Sequence, residues 1–415
     1  MTSGLEVSGR GRGFLAKLLA YSGPALMVSV AYMDPGNYGT DLAAGHFHYD
    51  LLWVVWLASF MAMLLQYLSG KLGIATGRDL AEEIRLSLGR RRYAVPYWLA
   101  SELSIAATDL AEYMGTVLAL NMLFGVPLLY ASVFGAADVL IILAATSRRL
   151  RVMEQLFAVW ITVIGAGFLY EMVIVRPDLQ AVVVHSFLPA LDAQTIAIAV
   201  GIIGATVMPH AVYLHSWLTK NKVKTGSAEE KRGLLALHRA ETVLLLVLAA
   251  FVNAAIVMMA AATLDSSNAY VSGVGQYYKI LVPLFGPAAA VIFAVTLLAS
   301  GLSSSTTGTL AGQAVMDGML GTKVNPYARR VVTRFLNVIP TTAAIMLHVN
   351  PLDLLVYSQV VLSLMLPLPM IPLIVFTSDR KRMGEFVNRR GVTVLVCVVA
   401  AVIIAFNAYL IFSLL

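Results

Sequence analysis

The stretch Tyr32-Met33-Asp34-Pro35-Gly36-Asn37 places a carboxylate, a proline and a glycine in the middle of an apolar run that extends from Phe14 to Ala44. An ionised aspartate at the centre of a membrane helix costs about 2.5 to 3.5 kcal/mol, so it marks a site that faces protein or water. Proline removes a backbone donor and glycine loosens the chain, so the helix is expected to open here and free backbone carbonyls. Irregular backbone at this depth persists only where it lines a cavity. An acidic group beside free carbonyls indicates a cation site.

The composition is typical of a polytopic membrane protein. Of the 415 residues, 59% are hydrophobic and 13% are charged, whereas soluble proteins carry about 25% charged residues. The single cysteine, Cys397, can form neither an intrachain disulfide nor a thiolate cluster. A metal site in this chain must therefore use oxygen, nitrogen or thioether ligands. The formal net charge of +6 would suit nucleic acid, but the positions of the basic residues explain it better.

Eleven apolar runs have the length needed to cross a hydrocarbon core of about 30 Å. The predicted spans are 14–44, 51–75, 93–124, 127–147, 152–175, 194–219, 235–263, 283–320, 327–348, 351–377 and 392–414. Residues 1–13 are predicted to be a cytoplasmic tail, and the C-terminus is placed outside. This layout puts every Lys and Arg except Arg176 and Lys279 on the cytoplasmic side. The charge therefore reflects topology in a cell membrane bilayer, and neither nucleic acid nor an obligate protein partner is predicted.

Two parts of the chain, residues 14–175 and 194–377, are predicted to form an inverted repeat, and 392–415 adds a further span. Span one would run outward and span six inward, so span six should carry its own interruption. The segment from Gly201 to His210 supplies it, with two glycines and a proline. Paired interruptions in two halves point to a transporter's binding site, built at the midplane from broken helices. The predicted fold class is therefore an all-α membrane protein with broken helices one and six.

Four groups near the two breaks are candidate metal ligands: the Asp34 carboxylate, the Asn37 amide oxygen, the Ala205 carbonyl and the Met208 thioether. Core packing is the simpler interpretation of a methionine, because the chain contains 18 of them. A methionine directly before a helix-breaking proline, opposite an intramembrane aspartate, favours ligation. Mg²⁺ and Ca²⁺ prefer oxygen ligands, whereas Mn²⁺, Fe²⁺ and heavier divalent metals accept softer ones. The set predicts a divalent transition metal that binds weakly enough to leave.

A second polar group lies on span three, where Glu102, Asp109 and Glu112 fall within an arc of about 80° on one helix face. Carboxylates inside a membrane are expensive without partners or water. Arginines at the cytoplasmic start of span nine offer partners, namely Arg329, Arg330 and Arg334. Two interpretations remain: internal ion pairs that lock the two spans together, or a proton relay in which Asp109 accepts the proton.

Two more polar residues bear on a proton route. His210 is a second titratable group beside Met208, and Asn253 in span seven either joins a hydration path or makes an interhelical hydrogen bond. Asp34 is an alternative proton acceptor, because metal and proton compete for the same carboxylate.

The segments Tyr32 to Asn37 and Thr206 to His210 resemble the two signature segments of the bacterial Nramp (natural resistance-associated macrophage protein) divalent-metal transporters. Residues 107–112, 300–309 and 358–363 are also similar to family segments, so the resemblance covers nearly the whole chain. It implies a LeuT-type fold, a 5+5 inverted repeat with an eleventh transmembrane helix. It also implies proton-coupled import of Mn²⁺ or Fe²⁺.

The resemblance assigns roles to individual residues. It implies that the metal ligands are Asp34, Asn37, Met208 and the Ala205 carbonyl. Gln359 matches a family position that approaches the metal when the site closes. The positions that the family associates with proton movement match Asp109, Glu112 and His210, and its proton exit matches Arg330.

Other functions have weaker support. A sodium-coupled carrier of small organic solutes on the same architecture is the alternative, although a thioether facing an acid suits a metal better. A metal sensor would be expected to carry a sizeable soluble signalling domain, and no segment outside the spans is long enough. Neither a His-Glu-x-x-His nor a Walker-type motif occurs, so an enzyme is not predicted. No resident cofactor is predicted, because the metal ion is the cargo.

Overall fold

The structure, a computed structural model, describes residues 23–138, 150–223, 226–267, 274–321 and 325–414. The predicted tail 1–13, the first residues of span one and residues 139–147 of span four lie outside the described residues. The α-helices in chain order are α1 Pro24–Ala31, α2 Pro35–Ala44, α3 Leu52–Thr76, α4 Leu80–Leu88, α5 Arg91–Phe124, α6 Leu128–Phe134, α7 Leu150–Val175, α8 Leu179–Phe187, α9 Ile196–Val207, α10 Pro209–Thr219, α11 Ala228–Ser267, α12 Val274–Phe285, α13 Pro287–Leu320, α14 Pro326–Met346, α15 Pro351–Met365, α16 Pro367–Ser378, α17 Arg380–Met383 and α18 Arg390–Leu414.

Within these ranges, eight helical segments are long and apolar enough to cross a membrane. They are Leu52–Thr76, Arg91–Phe124, Gln155–Val175, Ile196–Thr219, Ala228–Leu264, Pro287–Leu320, Pro351–Ser378 and Arg390–Ser413. These segments coincide with eight of the predicted spans. The other three are span one and span four, which are described only in part, and span nine, whose helix α14 carries three arginines.

Helix α14 shows that the protein is built for a lipid environment. Its apolar side chains Phe335, Leu336 and Ile339 are exposed, whereas Arg330 and Arg334 are almost completely buried. A helix at a water-facing surface would have the opposite arrangement. The exposed face of α14 therefore suits lipid, and its charged residues turn toward protein.

The two predicted breaks are confirmed. Residues Tyr32 to Asp34 separate α1 from α2, and Met208 separates α9 from α10. Pro35 and Pro209 each occupy the first position of the helix that follows, where the missing N–H removes no intrahelical hydrogen bond. Proline at these positions therefore ends one half-helix and starts the next.

Two predicted boundaries differ from the structure. Span eight was predicted from residue 283, but its helix α13 begins at Pro287 because Gly286, with φ of +89°, ends α12. Span ten is divided into α15 and α16 at Leu366, where Pro367 cannot donate a backbone hydrogen bond.

The broken helices lie at the centre of the molecule. In the apolar 18-residue stretch of the Ile196–Thr219 segment, 89% of the stretch is buried inside the protein. In the corresponding stretch of Arg390–Ser413 the buried share is 33%. Every residue of α2 is buried as well. The breaks are therefore surrounded by protein, while α18 is peripheral.

Candidate functional site

The first break is organised by Asp34, the N-cap of α2. Its Oδ1 accepts hydrogen bonds from the Asn37 backbone N–H at 2.7 Å and from Asn37 Nδ2 at 3.0 Å. The first turn of a helix leaves backbone N–H groups without partners inside the helix, and Asp34 accepts one of them. This capping favours the start of a new helix at Pro35. Asp34 is fully buried, and its Oδ2 has no hydrogen-bond partner within the described ranges. One carboxylate oxygen therefore stays available to a positively charged group.

The Asn37 amide marks the point where oxygen atoms converge. Besides Asp34 Oδ1, its Nδ2 donates to the Tyr32 carbonyl at 3.1 Å and to the Ala205 carbonyl at 3.4 Å. The Thr206 hydroxyl donates to Asn37 Oδ1 at 3.3 Å. Three oxygens, contributed by both breaks, thus surround one electropositive nitrogen. The same oxygens can coordinate a cation.

The second break frees the Ala205 carbonyl. In an unbroken helix the residue four positions on would donate to it, but that residue is Pro209, which lacks an N–H. Met208 forms the corner with φ of +48° and ψ of +102°, a backbone conformation rare for a residue with a side chain. Its side chain is fully buried. Such strain at a break is typical of functional sites, where the surroundings hold it in place.

Gln359 on α15 contacts both breaks. A Cβ added at Gly36 would lie 2.2 Å from Gln359 Nε2, and one added at Gly204 would lie 2.0 Å from the Gln359 carbonyl oxygen. Only glycine allows α15 to approach this closely at both positions. The Gln359 Oε1 atom is buried and has no partner among the described residues. The structure therefore brings Asp34, Asn37, Ala205, Met208 and Gln359 to the same pair of breaks, and we call these five residues the break site.

The break site contains one carboxylate. No group of three or more His, Cys, Asp or Glu residues that could hold a metal ion occurs in the part of the chain that is described. Any metal bound here would rely on the carboxylate, neutral oxygens and the thioether. Such a donor set combines hard oxygens with one soft sulfur and carries a single negative charge.

The second polar region joins α5 to α14. Arg330 Nη1 donates to Asp109 Oδ1 at 2.8 Å, and Arg329 Nη2 donates to Glu102 Oε1. Arg334 forms its ion pair outside α5: its Nη2 donates to Asp138 at 2.7 Å and to the Ser305 hydroxyl at 2.9 Å. Its guanidinium lies over the Tyr113 ring of α5, 4.8 Å from the ring centroid. We call the residues Glu102, Asp109, Glu112, Arg329, Arg330 and Arg334 the ion-pair network. Ion pairs that link α5 to α14 are therefore present for Arg329 and Arg330.

Glu112 differs from the other carboxylates of the network. Its Oε1 accepts from the Ser304 hydroxyl at 2.7 Å, and its Oε2 has no partner in the described ranges. It is fully buried, and Arg329, Arg330 and Arg334 form their ion pairs with Glu102, Asp109 and Asp138 instead. Protonation of Glu112 would break no ion pair, whereas protonation of Asp109 would weaken its pair with Arg330.

His210 links the break site to the network. It lies two residues after Met208, and its Nδ1 is 3.1 Å from the hydroxyl of Thr108, the neighbour of Asp109 on α5. Its Nε2 is buried without a partner among the described residues. Asn253 is also buried, and neither amide atom forms a hydrogen bond within those residues. The interhelical bond considered for Asn253 is therefore not found there, and its place on a hydration path stays a prediction.

Sequence reasoning missed several groups around these regions. The hydroxyls of Ser304 and Ser305 lie in residues 300–309 of α13, which the sequence marked only by their similarity to a family segment. The Ser300 hydroxyl donates to the Met33 carbonyl that the first break frees. Ser300 and Ser304 are one turn apart on the same face of α13, and this spacing was the available signal, whereas Ser305 points away from that face.

Comparisons with known proteins agree with this geometry. A family model described as natural resistance-associated macrophage protein-like matches residues 25–413. The divalent metal cation transporter MntH of Deinococcus radiodurans is 42% identical over 406 residues, which cover 96% of this chain and 91% of that protein. The solved Eremococcus coleocola manganese transporter is 32% identical, with a TM-score of 0.85 over 96% of this chain and 87% of that one.

A more distant structure addresses the fold alone. Mhp1, a nucleobase-cation-symport-1 family transporter in a closed conformation, is 15% identical and has a TM-score of 0.61 over 94% of this chain and 89% of that one. The LeuT-type fold with two broken helices is thereby confirmed.

Proposed function

Because this chain belongs to the Nramp (natural resistance-associated macrophage protein) family, we propose that it imports divalent transition metal ions in symport with protons. Mn²⁺ and Fe²⁺ are the expected cargo. The protein is placed in the cell membrane with its N-terminus in the cytoplasm and its C-terminus outside.

The observation that carries the proposal is the convergence of oxygens at the breaks. Asp34 Oδ1, the Tyr32 carbonyl and the Ala205 carbonyl all lie within 3.4 Å of Asn37 Nδ2. A cation at this point would bind Asp34 and Ala205, and rotation of the Asn37 amide would present its oxygen instead of its nitrogen. Oxygen and nitrogen of an amide are assigned from hydrogen bonds, so both orientations fit the same space.

Met208 would supply the selectivity for transition metals. A thioether is a soft ligand that Mn²⁺ and Fe²⁺ accept and that Ca²⁺ and Mg²⁺ do not favour. Co²⁺ and Cd²⁺ suit the same donors. A single carboxylate with neutral partners keeps the binding weak enough for release, as transport requires.

The proton route would run from the break site through His210 to the ion-pair network. The contact of His210 with Thr108 places a titratable ring between Met208 and Asp109. In this proposal Asp109 accepts the proton, Glu112 is the neighbouring carboxylate, and Arg330 lies on the way to the cytoplasm. Metal arrival at Asp34 would favour proton departure, because a cation and a proton compete for negative charge.

Metal uptake into proteoliposomes tests the proposal. The purified protein is expected to take up Mn²⁺, and an inward proton gradient is expected to accelerate uptake. Met208→Ala should keep Mn²⁺ uptake but lower the preference for Mn²⁺ over Ca²⁺ about tenfold, because the remaining oxygen donors suit both ions. Met33→Ala, a buried methionine beside the first break, is the matched control and should keep the preference.

Two results would contradict parts of this proposal. Unaltered discrimination in Met208→Ala would remove the role of the thioether. Micromolar Mn²⁺ that fails to raise the melting temperature, when a small organic solute with Na⁺ does raise it, would favour the sodium-coupled alternative.

A further inference from the structure

The half-helix α1 begins without a cap of its own. Its N-cap residue is Gly23, which has no side chain, and no side-chain capping hydrogen bond comes from the adjacent sequence. The first turn of any helix leaves N–H groups without intrahelical partners. Inside a membrane protein such groups are costly when they find no acceptor.

The acceptor comes from another helix. The Gly23 N–H donates to Oε1 of Glu241 on α11 at 2.7 Å, across 218 positions of the chain. Glu241 is almost completely buried. A carboxylate at a helix N-terminus also interacts favourably with the positive end of the helix dipole. Glu241 therefore does for α1 what an N-cap side chain does in other helices.

This contact matters because α1 is short and separated from α2 by the first break. Its eight residues are well below the roughly 12 to 15 that a helix needs to be stable alone. Apart from the contact with Glu241, the hydrogen bonds of residues 23–31 in the part of the chain that is described stay within residues 23–33. The position of α1 thus depends on apolar packing and on the Glu241 contact.

The helix that carries Glu241 is itself well anchored. One turn earlier, His238 Nε2 lies 3.1 Å from the Tyr67 carbonyl on α3, and the His238 ring meets the His215 ring edge-on at 4.8 Å. The His215 Nδ1 atom is 3.0 Å from Gln66 Oε1, also on α3. Helices α3, α10 and α11 therefore form one frame beside α1, and α1 can leave that frame only by breaking its bond to Glu241.

We propose that Glu241 is a positioning residue that holds α1 against the frame of α3, α10 and α11. Breaking the contact is the step that lets α1 move and opens the path from the break site on the α1 side. The opening part of this inference rests on the proposed transport function, whereas the capping part does not. The carboxylate and the Gly23 N–H would both lose their hydrogen bond on opening, so the contact biases α1 toward the closed position.

Hydrogen–deuterium exchange with mass spectrometry on the purified, metal-free protein tests the capping part. Glu241→Ala should speed exchange in peptides covering residues 23–33 by about two- to thirty-fold, the range that loss of an N-cap produces. Glu241→Asp keeps the charge and should restore much of the protection. Glu241→Gln keeps an oxygen acceptor and removes the charge, so it should speed exchange less than Glu241→Ala. If Glu241→Ala does not fold, Glu241→Met replaces it, because methionine fills a similar space without an oxygen acceptor.

Glu171→Ala is the matched control. Glu171 is another buried membrane glutamate, on α7, and neither of its oxygens has a partner in the described ranges. Its removal should leave exchange at 23–33 unchanged. Unchanged exchange at 23–33 in Glu241→Ala, or in Glu241→Met where it replaces that variant, would overturn the proposal. Equal acceleration across α3, α5 and α13 would also overturn it, since that result describes general destabilisation.

Uptake kinetics test the opening part. A weaker hold on α1 reduces the fraction of protein closed on that side. The KM for external Mn²⁺ varies inversely with that closed fraction, so it should rise in Glu241→Ala while the maximal rate does not fall. Accelerated exchange with an unchanged KM would overturn the opening step. Failure of the wild-type protein to take up Mn²⁺ would count against the transport function and leave the exchange result in place.

Discussion

The break site and the ion-pair network are both buried, but they differ in whether their carboxylates are paired with arginines. At the break site Asp34 receives N–H groups from its own half-helix, and one of its oxygens has no partner among the described residues. In the network Asp109 faces Arg330 and Glu102 faces Arg329. The first region leaves negative charge available, whereas the second compensates most of its charge internally.

This difference suggests a division of labour. A buried carboxylate without a counter-ion is costly, so Asp34 suits a position that a mobile cation visits. A buried ion pair is costly to form and costlier to break, so the network suits a fixed element. Glu112 is the exception within the network, because it has a hydroxyl partner in place of a guanidinium.

Removal of the Asp34 charge should have the largest effect. Asp34→Asn is expected to abolish detectable Mn²⁺ binding in isothermal titration calorimetry, because the break site loses its one anionic ligand. Asp41→Asn is the matched control, since Asp41 is a fully buried carboxylate on the same half-helix without a partner among the described residues. Binding to Asp41→Asn should change little. Retained binding in Asp34→Asn would remove the distinction between the two regions.

Neutralising Asp109 should have the next largest effect, on coupling and on stability. Asp109→Asn is expected to keep Mn²⁺ uptake but to make it independent of the proton gradient. The substitution also leaves the Arg330 guanidinium without its carboxylate partner. An unpaired buried charge lowers the free energy of unfolding by about 3 to 5 kcal/mol. Parallel measurements of proton influx and of the denaturation midpoint check both effects.

The double variant Asp109→Asn with Arg330→Gln separates these two consequences. It removes both charges, so stability should recover in part while coupling stays lost. Proton coupling that survives in Asp109→Asn and disappears in Glu112→Gln would identify Glu112 as the proton acceptor. Survival in both variants would leave the network as a structural lock.

The sequence predicted the breaks because their causes are local. Proline without an N–H, glycine beside it and aspartate at the N-cap act within a few residues of one another, so Asp34, Pro35 and Pro209 are readable without a structure. The freed Ala205 carbonyl follows from the same reasoning, since Pro209 lies four residues on. The fold class follows from the pairing of two such breaks in a long apolar chain.

The partners of the charged groups were not readable in the same way. Periodicity places Glu102, Asp109 and Glu112 on one face of α5, but it does not say which residue meets them from another helix. Arg334 was expected to pair with a carboxylate of α5, but its carboxylate partner is Asp138 and its contact with α5 is the Tyr113 ring. The contact of Glu241 with Gly23 joins residues 218 positions apart, and only the three-dimensional packing reveals it.

The smallest expected effect tests whether burial is what separates the regions. Lys220 Nζ lies 2.6 Å from Asp79 Oδ2, close to the 2.8 Å between Arg330 and Asp109, but the Lys220 side chain is 15% exposed and that of Arg330 only 1%. Water can reach Lys220, and Asp79 keeps the Glu82 N–H that it accepts at the start of α4. The Asp79 carboxylate is itself only 1% exposed and loses its counter-ion in Lys220→Met. This variant should therefore lower the free energy of unfolding by about 1 to 3 kcal/mol.

Arg330→Met provides the comparison at nearly the same bond length. It strands the buried Asp109 carboxylate and should lower the free energy of unfolding by about 3 to 5 kcal/mol. Denaturation of the two variants under one set of conditions gives the ratio directly. Equal losses would mean that contact geometry, and not burial, sets the strength of these pairs. The ion-pair network would then be no more rigid than the Lys220–Asp79 pair. A larger loss for Arg330→Met would mean that burial of both charges sets the strength of the interior pair.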